Sequence, residues 1–83
     1  MYQVLIVDDE PIVKIALRSM IDWESLGFHI CATASNGEEA LEMAERFHPD
    51  LMICDLKMPV MDGIEVIRQV KESGKSCRFI VLS

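Results

Sequence analysis

The sequence predicts an α/β domain built on a doubly wound parallel sheet, with strand order 2-1-3-4. Three observations carry that expectation. Short, continuous apolar runs recur along the chain: Val4-Leu5-Ile6-Val7, Leu51-Met52-Ile53-Cys54 and Phe79-Ile80-Val81-Leu82. Such runs suit strands buried on both faces of a sheet. Between them lie segments whose apolar residues repeat at helical spacing, and turn or capping residues separate the two kinds of segment. Strands alternating with helices imply parallel pairing.

Val4–Val7 is the first strand. Val13, Ala16, Leu17, Met20 and Ile21 then form the stripe of a first helix, with Lys14, Arg18 and Ser19 on its other side. Pro11 fits its first turn, and Asp8 or Asp9 is expected to cap it. In Phe28–Ala34, His29 and Thr33 alternate with Phe28, Ile30, Ala32 and Ala34, which predicts an edge strand with one wetter face. Ala40, Leu41, Ala44 and Phe47 give the second helix. Its start is marked by Ser35 with Glu38, or by Asn36 with Glu39, as a capping box, and Pro49 stops it. After the third strand, Leu51–Cys54, a third helix opens at Asp62 with Glu65 three residues on. It carries Ile64, Val66, Ile67 and Val70 and ends near Ser73-Gly74. Phe79–Leu82 is the fourth strand, and no repeat, linker or low-complexity tract interrupts the series.

Eighty-three residues make one domain at most, and 51% of them are hydrophobic. A domain this small buries only about 60–65% of its unfolded-chain surface, so further cover is expected from a partner chain or from more of the same chain. Residues 1–83 therefore read as the N-terminal, incomplete part of one domain, because no fourth helix follows the fourth strand. The apolar content excludes disorder. No apolar run approaches a membrane span, and Met1-Tyr2-Gln3 lacks the basic start of a signal peptide; a soluble, cytoplasmic protein with no membrane partner is expected. Eight basic against fourteen acidic residues, net −6, argue against gripping a phosphate backbone and allow a divalent cation. Cys31, Cys54 and Cys77 form no CxxC pair and read as small buried hydrophobes in a reducing compartment.

The carboxylates are the informative feature. Asp8-Asp9-Glu10 follow the first strand and Asp55 follows the third. Parallel strands joined by right-handed crossovers finish at one edge of the sheet. In the order 2-1-3-4, the gap between strands 1 and 3 is the topological switch point, where open α/β sheets place ligands. Asp8, Asp9 and Asp55 are expected to face one another there. Carboxylates at about 4 Å repel by roughly 1–4 kcal/mol per pair for dielectrics of about 80 down to 20. Either a carboxyl group retains its proton or a cation sits among them. An all-oxygen donor set with room for water favours Mg²⁺, or Mn²⁺. Taken singly, Asp8 and Asp9 also read as helix caps, and Asp55 as a turn residue ahead of Pro59.

Val7-Asp8-Asp9-Glu10, Asn36-Gly37-Glu38-Glu39-Ala40-Leu41, Pro49-Asp50-Leu51 and Asp55-Leu56-Lys57-Met58-Pro59-Val60-Met61-Asp62-Gly63, taken together, resemble the receiver domain of two-component response regulators. The resemblance runs the length of the chain. It implies a flavodoxin-like (CheY-like) fold of which the fourth helix, fifth strand and fifth helix lie outside this sequence, together with the family's lysine on strand 5. It implies that Asp55 is the phosphoacceptor and that Asp9 and Asp55 hold Mg²⁺ through their side chains, with Asp8 ligating directly or through water. Lys57 would lend its backbone carbonyl while its ammonium points to solvent. Ser83 matches the hydroxyl switch position that hydrogen-bonds the phosphoryl group. The implied partner is a sensor histidine kinase; a protein of this kind is no conventional enzyme, but accepts a phosphoryl group and can dephosphorylate itself. Ile21–Phe28, around Trp23, further resembles regulators with an AraC-type helix-turn-helix output, so DNA contact would fall to an output domain absent from this chain.

Gly63 and Pro59 are expected to shape the loop after Asp55, through the positive φ open to glycine and the fixed φ of proline. Met58, Met61 and Trp23 read as packing. The alternative function is association alone, with the bare sheet completed by exchange in a homodimer. A metal-dependent aspartyl phosphatase is disfavoured because Lys57 stands where a second acid is wanted. Nucleotide binding lacks a Gly-rich loop, and His29 and His48 belong to no motif.

Overall fold

A computed structural model describes residues 1–82. The chain runs β1 (Tyr2–Val7), α1 (Pro11–Met20), a single 3₁₀ turn (Glu24–Leu26), β2 (Phe28–Ala34), α2 (Gly37–Phe47), β3 (Leu51–Asp55), α3 (Gly63–Glu72) and β4 (Arg78–Leu82). The four strands form one parallel sheet in the order β2-β1-β3-β4, the predicted topology. The two central strands supply its most buried side chains, among them Val4, Leu5, Ile6, Val7, Met52 and Cys54.

Two helix starts follow the sequence signals and one does not. Asn36 accepts from the Glu39 N–H at 2.8 Å, while the Glu39 carboxylate accepts from the Ser35 N–H at 2.8 Å. The Asn36/Glu39 option is thus the one used. Asp62 caps α3 by accepting from the Glu65 N–H at 2.9 Å. At α1 the N-cap position belongs to Glu10, which makes no side-chain cap bond. Neither Asp8 nor Asp9 caps that helix. Asp8 instead turns back locally, accepting from the Glu10 N–H at 2.9 Å, and this frees the chain to place carboxylates at the strand end.

β2 is the predicted edge strand, but its alternation is interrupted. The β1–β2 register shifts between Val4 and Leu5: Val4 pairs with Ile30 and Leu5 with Ala32, so Cys31 is an extra residue in the ladder. A bulge of this kind switches every later side chain to the opposite face. Phe28 and Ile30 accordingly pack with Val4, Ile6 and Ile53 on the α1 face, whereas Ala32 and Ala34 pack with the α2 and α3 core. The strand offers apolar residues to both faces in turn, rather than keeping one face wet.

The larger core lies under α2 and α3, where Ala40, Ala44, Val66 and Val70 meet Leu5, Val7, Met52 and Cys54. Phe47 and Ile64, assigned to the helix stripes, are exposed instead. The α1 face is thinner. None of α1's residues is fully buried, and Met20 is 81% exposed. Leu17 and Trp23 do reach the sheet; the Trp23 indole N–H donates to the Leu17 carbonyl at 2.9 Å, and its ring meets Phe28 edge-on at 6.3 Å. Trp23 is therefore a packing residue. On β4, Ile80 and Val81 are 50% and 48% exposed. The total accessible surface, 5139 Å², is close to the roughly 5000 Å² expected of a compact monomer of this size. Ile12, Ile15 and Met20 on α1 and Ile80 and Val81 on β4 are among the large apolar side chains left exposed.

Candidate functional site

β1 and β3 run in register, with Val7 opposite Cys54. The next residues, Asp8 and Asp55, therefore leave neighbouring strands about 4.8 Å apart, at the carboxyl edge where the crossovers diverge. The Asp8 N–H donates to the Ala34 carbonyl at 3.0 Å, which extends the β1–β2 ladder by one bond. Asp8 is only 4% exposed. Burial pushes its carboxyl above the ordinary range, and the charges of Asp55 and Asp9 push the same way. The Glu10 N–H and the Lys14 ammonium oppose them. Asp9 and Glu10 are exposed, and carboxylate oxygens of Asp8, Asp9 and Glu10 all lie within 4.8 Å of one another.

Asp55 is half-buried. One of its carboxylate oxygens accepts from the Lys57 N–H at 3.0 Å, and the following Leu56 N–H reaches the Leu82 carbonyl of β4 at 3.1 Å. The loop then folds back beneath it. Met58 is buried in the α2–α3 core, where Met61 also packs, so both methionines serve packing. The Gly63 N–H donates to the Leu56 carbonyl at 3.2 Å, and a Cβ on Gly63 would stand 2.3 Å from the Asp55 carbonyl oxygen. Gly63 is thus required by close approach rather than by a positive φ. The left-handed residue of the loop is Val60, with φ +70°, fully exposed at the loop tip.

Of the residues singled out in the sequence, Asp8 and Asp55 follow adjacent, in-register strand ends, and Asp9 clusters with Asp8 and Glu10, a tight group that does not include Asp55. Lys57 is exposed there, and the contact it makes with the rim is through its N–H. Ser83 lies outside the described residues. Two members were missed. Glu10 completes the tight carboxylate trio, and its adjacency to Asp9 was the available signal. Lys14, one helical turn after Glu10, donates from its ammonium to the Ser35 hydroxyl; its spacing from the acidic run was the clue. Elsewhere the cysteines are free. Burial pushes the Cys54 and Cys77 thiols up to about 11 and raises that of Cys31, leaving all three protonated and poor nucleophiles at neutral pH.

The rim fits a hard divalent cation. Its donors are all carboxylate oxygens, two of the three clustered groups are open to water, and the third, Asp8, has its pKa raised by burial first and by the neighbouring charges of Asp55 and Asp9 after it. The model of the response regulator receiver domain matches residues 4–83. The chain belongs to that family. It is 45% identical, over all 83 residues, to an uncharacterised transcriptional regulatory protein, YesN, of Bacillus subtilis, and spans 23% of that protein's length. The receiver domain of AraT, a response regulator from Geobacillus stearothermophilus, superposes with a TM-score of 0.90 at 41% identity, over 96% of this chain and 62% of that one. A two-component transcriptional regulator AraC from Clostridium phytofermentans gives a TM-score of 0.91 at 32% identity, over 98% and 63% respectively. The chain thus spans less than two thirds of each of these relatives. Receivers of this family are typically parts of transcriptional regulators. Among the described residues, no helix is long and apolar enough to cross a membrane.

Two outcomes test this receiver geometry. Gly63→Ala forces a Cβ onto the Asp55 backbone and should cost about 3 kcal/mol in urea denaturation; a change within about 0.5 kcal/mol contradicts the close approach. Asp8→Asn should stabilise the metal-free protein at neutral pH. A carboxyl whose folded pKa is raised above its ordinary 3.8 contributes stability only at low pH and loses it as pH rises through the raised value. The gain from Asn should therefore shrink as pH falls toward the unfolded-state pKa. A gain independent of pH would show that Asp8 carries no such burden.

Proposed function

We propose that this receiver domain is the phosphoacceptor part of a two-component regulator: a sensor histidine kinase transfers a phosphoryl group to Asp55 in a Mg²⁺-dependent reaction, and an output domain, transcriptional and DNA-binding, responds. The observation that carries this reading is the in-register placement of half-buried Asp55 beside buried Asp8 at the switch point. The family supplies the reaction. Phosphoryl transfer needs little covalent work from the protein beyond positioning and charge neutralisation.

Each residue has a part in that chemistry. An Asp55 carboxylate oxygen attacks phosphorus; the new O–P bond forms as the N–P bond of the phosphohistidine breaks, and the imidazole, already protonated on its other nitrogen, keeps the electron pair and leaves as the neutral ring. The Lys57 N–H fixes one Asp55 oxygen and so orients the other. Asp9 and Asp55 would hold the cation through their side chains, Asp8 directly or through water, and Lys57 through its carbonyl; Glu10 stands close enough to join them. Bound Mg²⁺, or Mn²⁺, supplies neutralisation of the phosphoryl oxygens against the carboxylates. Ser83 would offer its hydroxyl to the phosphoryl group. The added charge alters the rim, where Leu56 already ties the Asp55 loop to the end of β4. A cytoplasmic location accompanies a kinase partner and free thiols.

Asp55→Asn in the full chain should abolish Mg²⁺-dependent labelling by a small-molecule phosphodonor while leaving the fold intact by circular dichroism. Labelling that persists in the Asn variant places the acceptor elsewhere.

A further inference from the structure

Lys14 is a half-buried cation on the rim that the phosphoacceptor reading leaves without a role. Its place follows from two short chains of bonds. The Asp8 N–H is bonded to the Ala34 carbonyl at 3.0 Å, and the next residue, Ser35, receives the Lys14 ammonium on its hydroxyl. Ser35 is itself held, because its N–H donates to the Glu39 carboxylate at 2.8 Å. The ammonium is thereby fixed on the β2 side of Asp8, while Asp55 lies on the β3 side. Among the described residues, Lys14 is also the one cation whose charge acts on Asp8. Arg18, the next basic residue of α1, is exposed a further turn away from the rim.

An ammonium fixed on a neighbouring hydroxyl beside a carboxylate cluster does two things to an incoming divalent ion. It repels the ion, since like charges within a Debye length are only partly screened. It also offsets negative charge on its own side, leaving the other side the more attractive. We propose that Lys14 is a positioning residue, a built-in counter-charge that lowers the divalent-cation affinity of the rim and confines the cation to the side occupied by Asp55. This rests on the Mg²⁺ reading given above. Weak binding suits a switch whose cation must exchange freely with solvent, and Ser35 couples the counter-charge to the start of α2.

The test is calorimetric titration of Mg²⁺ alone into the full chain, as wild type, Lys14→Met, Lys14→Gln and Lys14→Arg, at low and high salt. The two neutral variants should bind Mg²⁺ about 3- to 10-fold more tightly than wild type at low salt. Arg should restore wild-type affinity, and the gap should narrow at high salt. A purely structural lysine would instead leave affinity unchanged, or lower it along with the melting temperature. Equal or weaker binding by a folded Met or Gln variant overturns the proposal while leaving the Mg²⁺ site standing. Absence of Mg²⁺ binding to wild type overturns the site reading, and the proposal with it.

Discussion

Like charges brought together at the carboxyl edge of β1 and β3 are the constraint around which the rest of this domain is arranged. The Val7–Cys54 register sets Asp8 beside Asp55, and burial of Asp8 leaves its charge no water to relax into. The fold holds this repulsion because the two central strands are the best-packed part of the molecule. A cation, a proton on Asp8 and the Lys14 ammonium are three ways of relieving the same strain, with different consequences for function.

The loop between β3 and α3 keeps that arrangement from relaxing. Gly63 lies against the backbone of Asp55, Met58 is buried, and Met61 fits against Gly37 so closely that a Cβ there would stand 2.7 Å from the Met61 Cβ. The start of α2 is thus keyed to the loop that follows Asp55. From the other side, Lys14 and Ser35 join α1 to the same helix start. The rim is framed on both sides by contacts with the N-terminal end of α2, so a change in its charge meets a packed surround rather than a slack one.

Much of this was legible in the sequence because the physics is local or topological. Continuous apolar runs gave the strands, caps at Asn36 and Asp62 gave two helix starts, and alternation of strand and helix gave the order from which the rim follows. What was hidden depends on contacts between distant segments. The Cys31 bulge shows only in the pairing of β1 with β2, and it reverses the faces of Ala32 and Ala34. Gly63 looked like a turn glycine, yet its need is steric, while the positive φ falls on Val60, a residue type that disfavours it. Glu10 and Lys14 lay close in sequence to the acidic run. Nothing short of the turn at Asp8 and the position of Ser35 gave them their places.

The central claim is that the acids at the ends of β1 and β3 form one cation site. Paramagnetic broadening by Mn²⁺ in amide NMR spectra measures this directly. Signals of Asp8, Asp9, Glu10, Asp55 and Lys57 should broaden first and together, with the Trp23 indole, at the opposite edge of the sheet, staying sharp. Broadening confined to one strand end, or centred away from Asp8 and Asp55, would contradict the account.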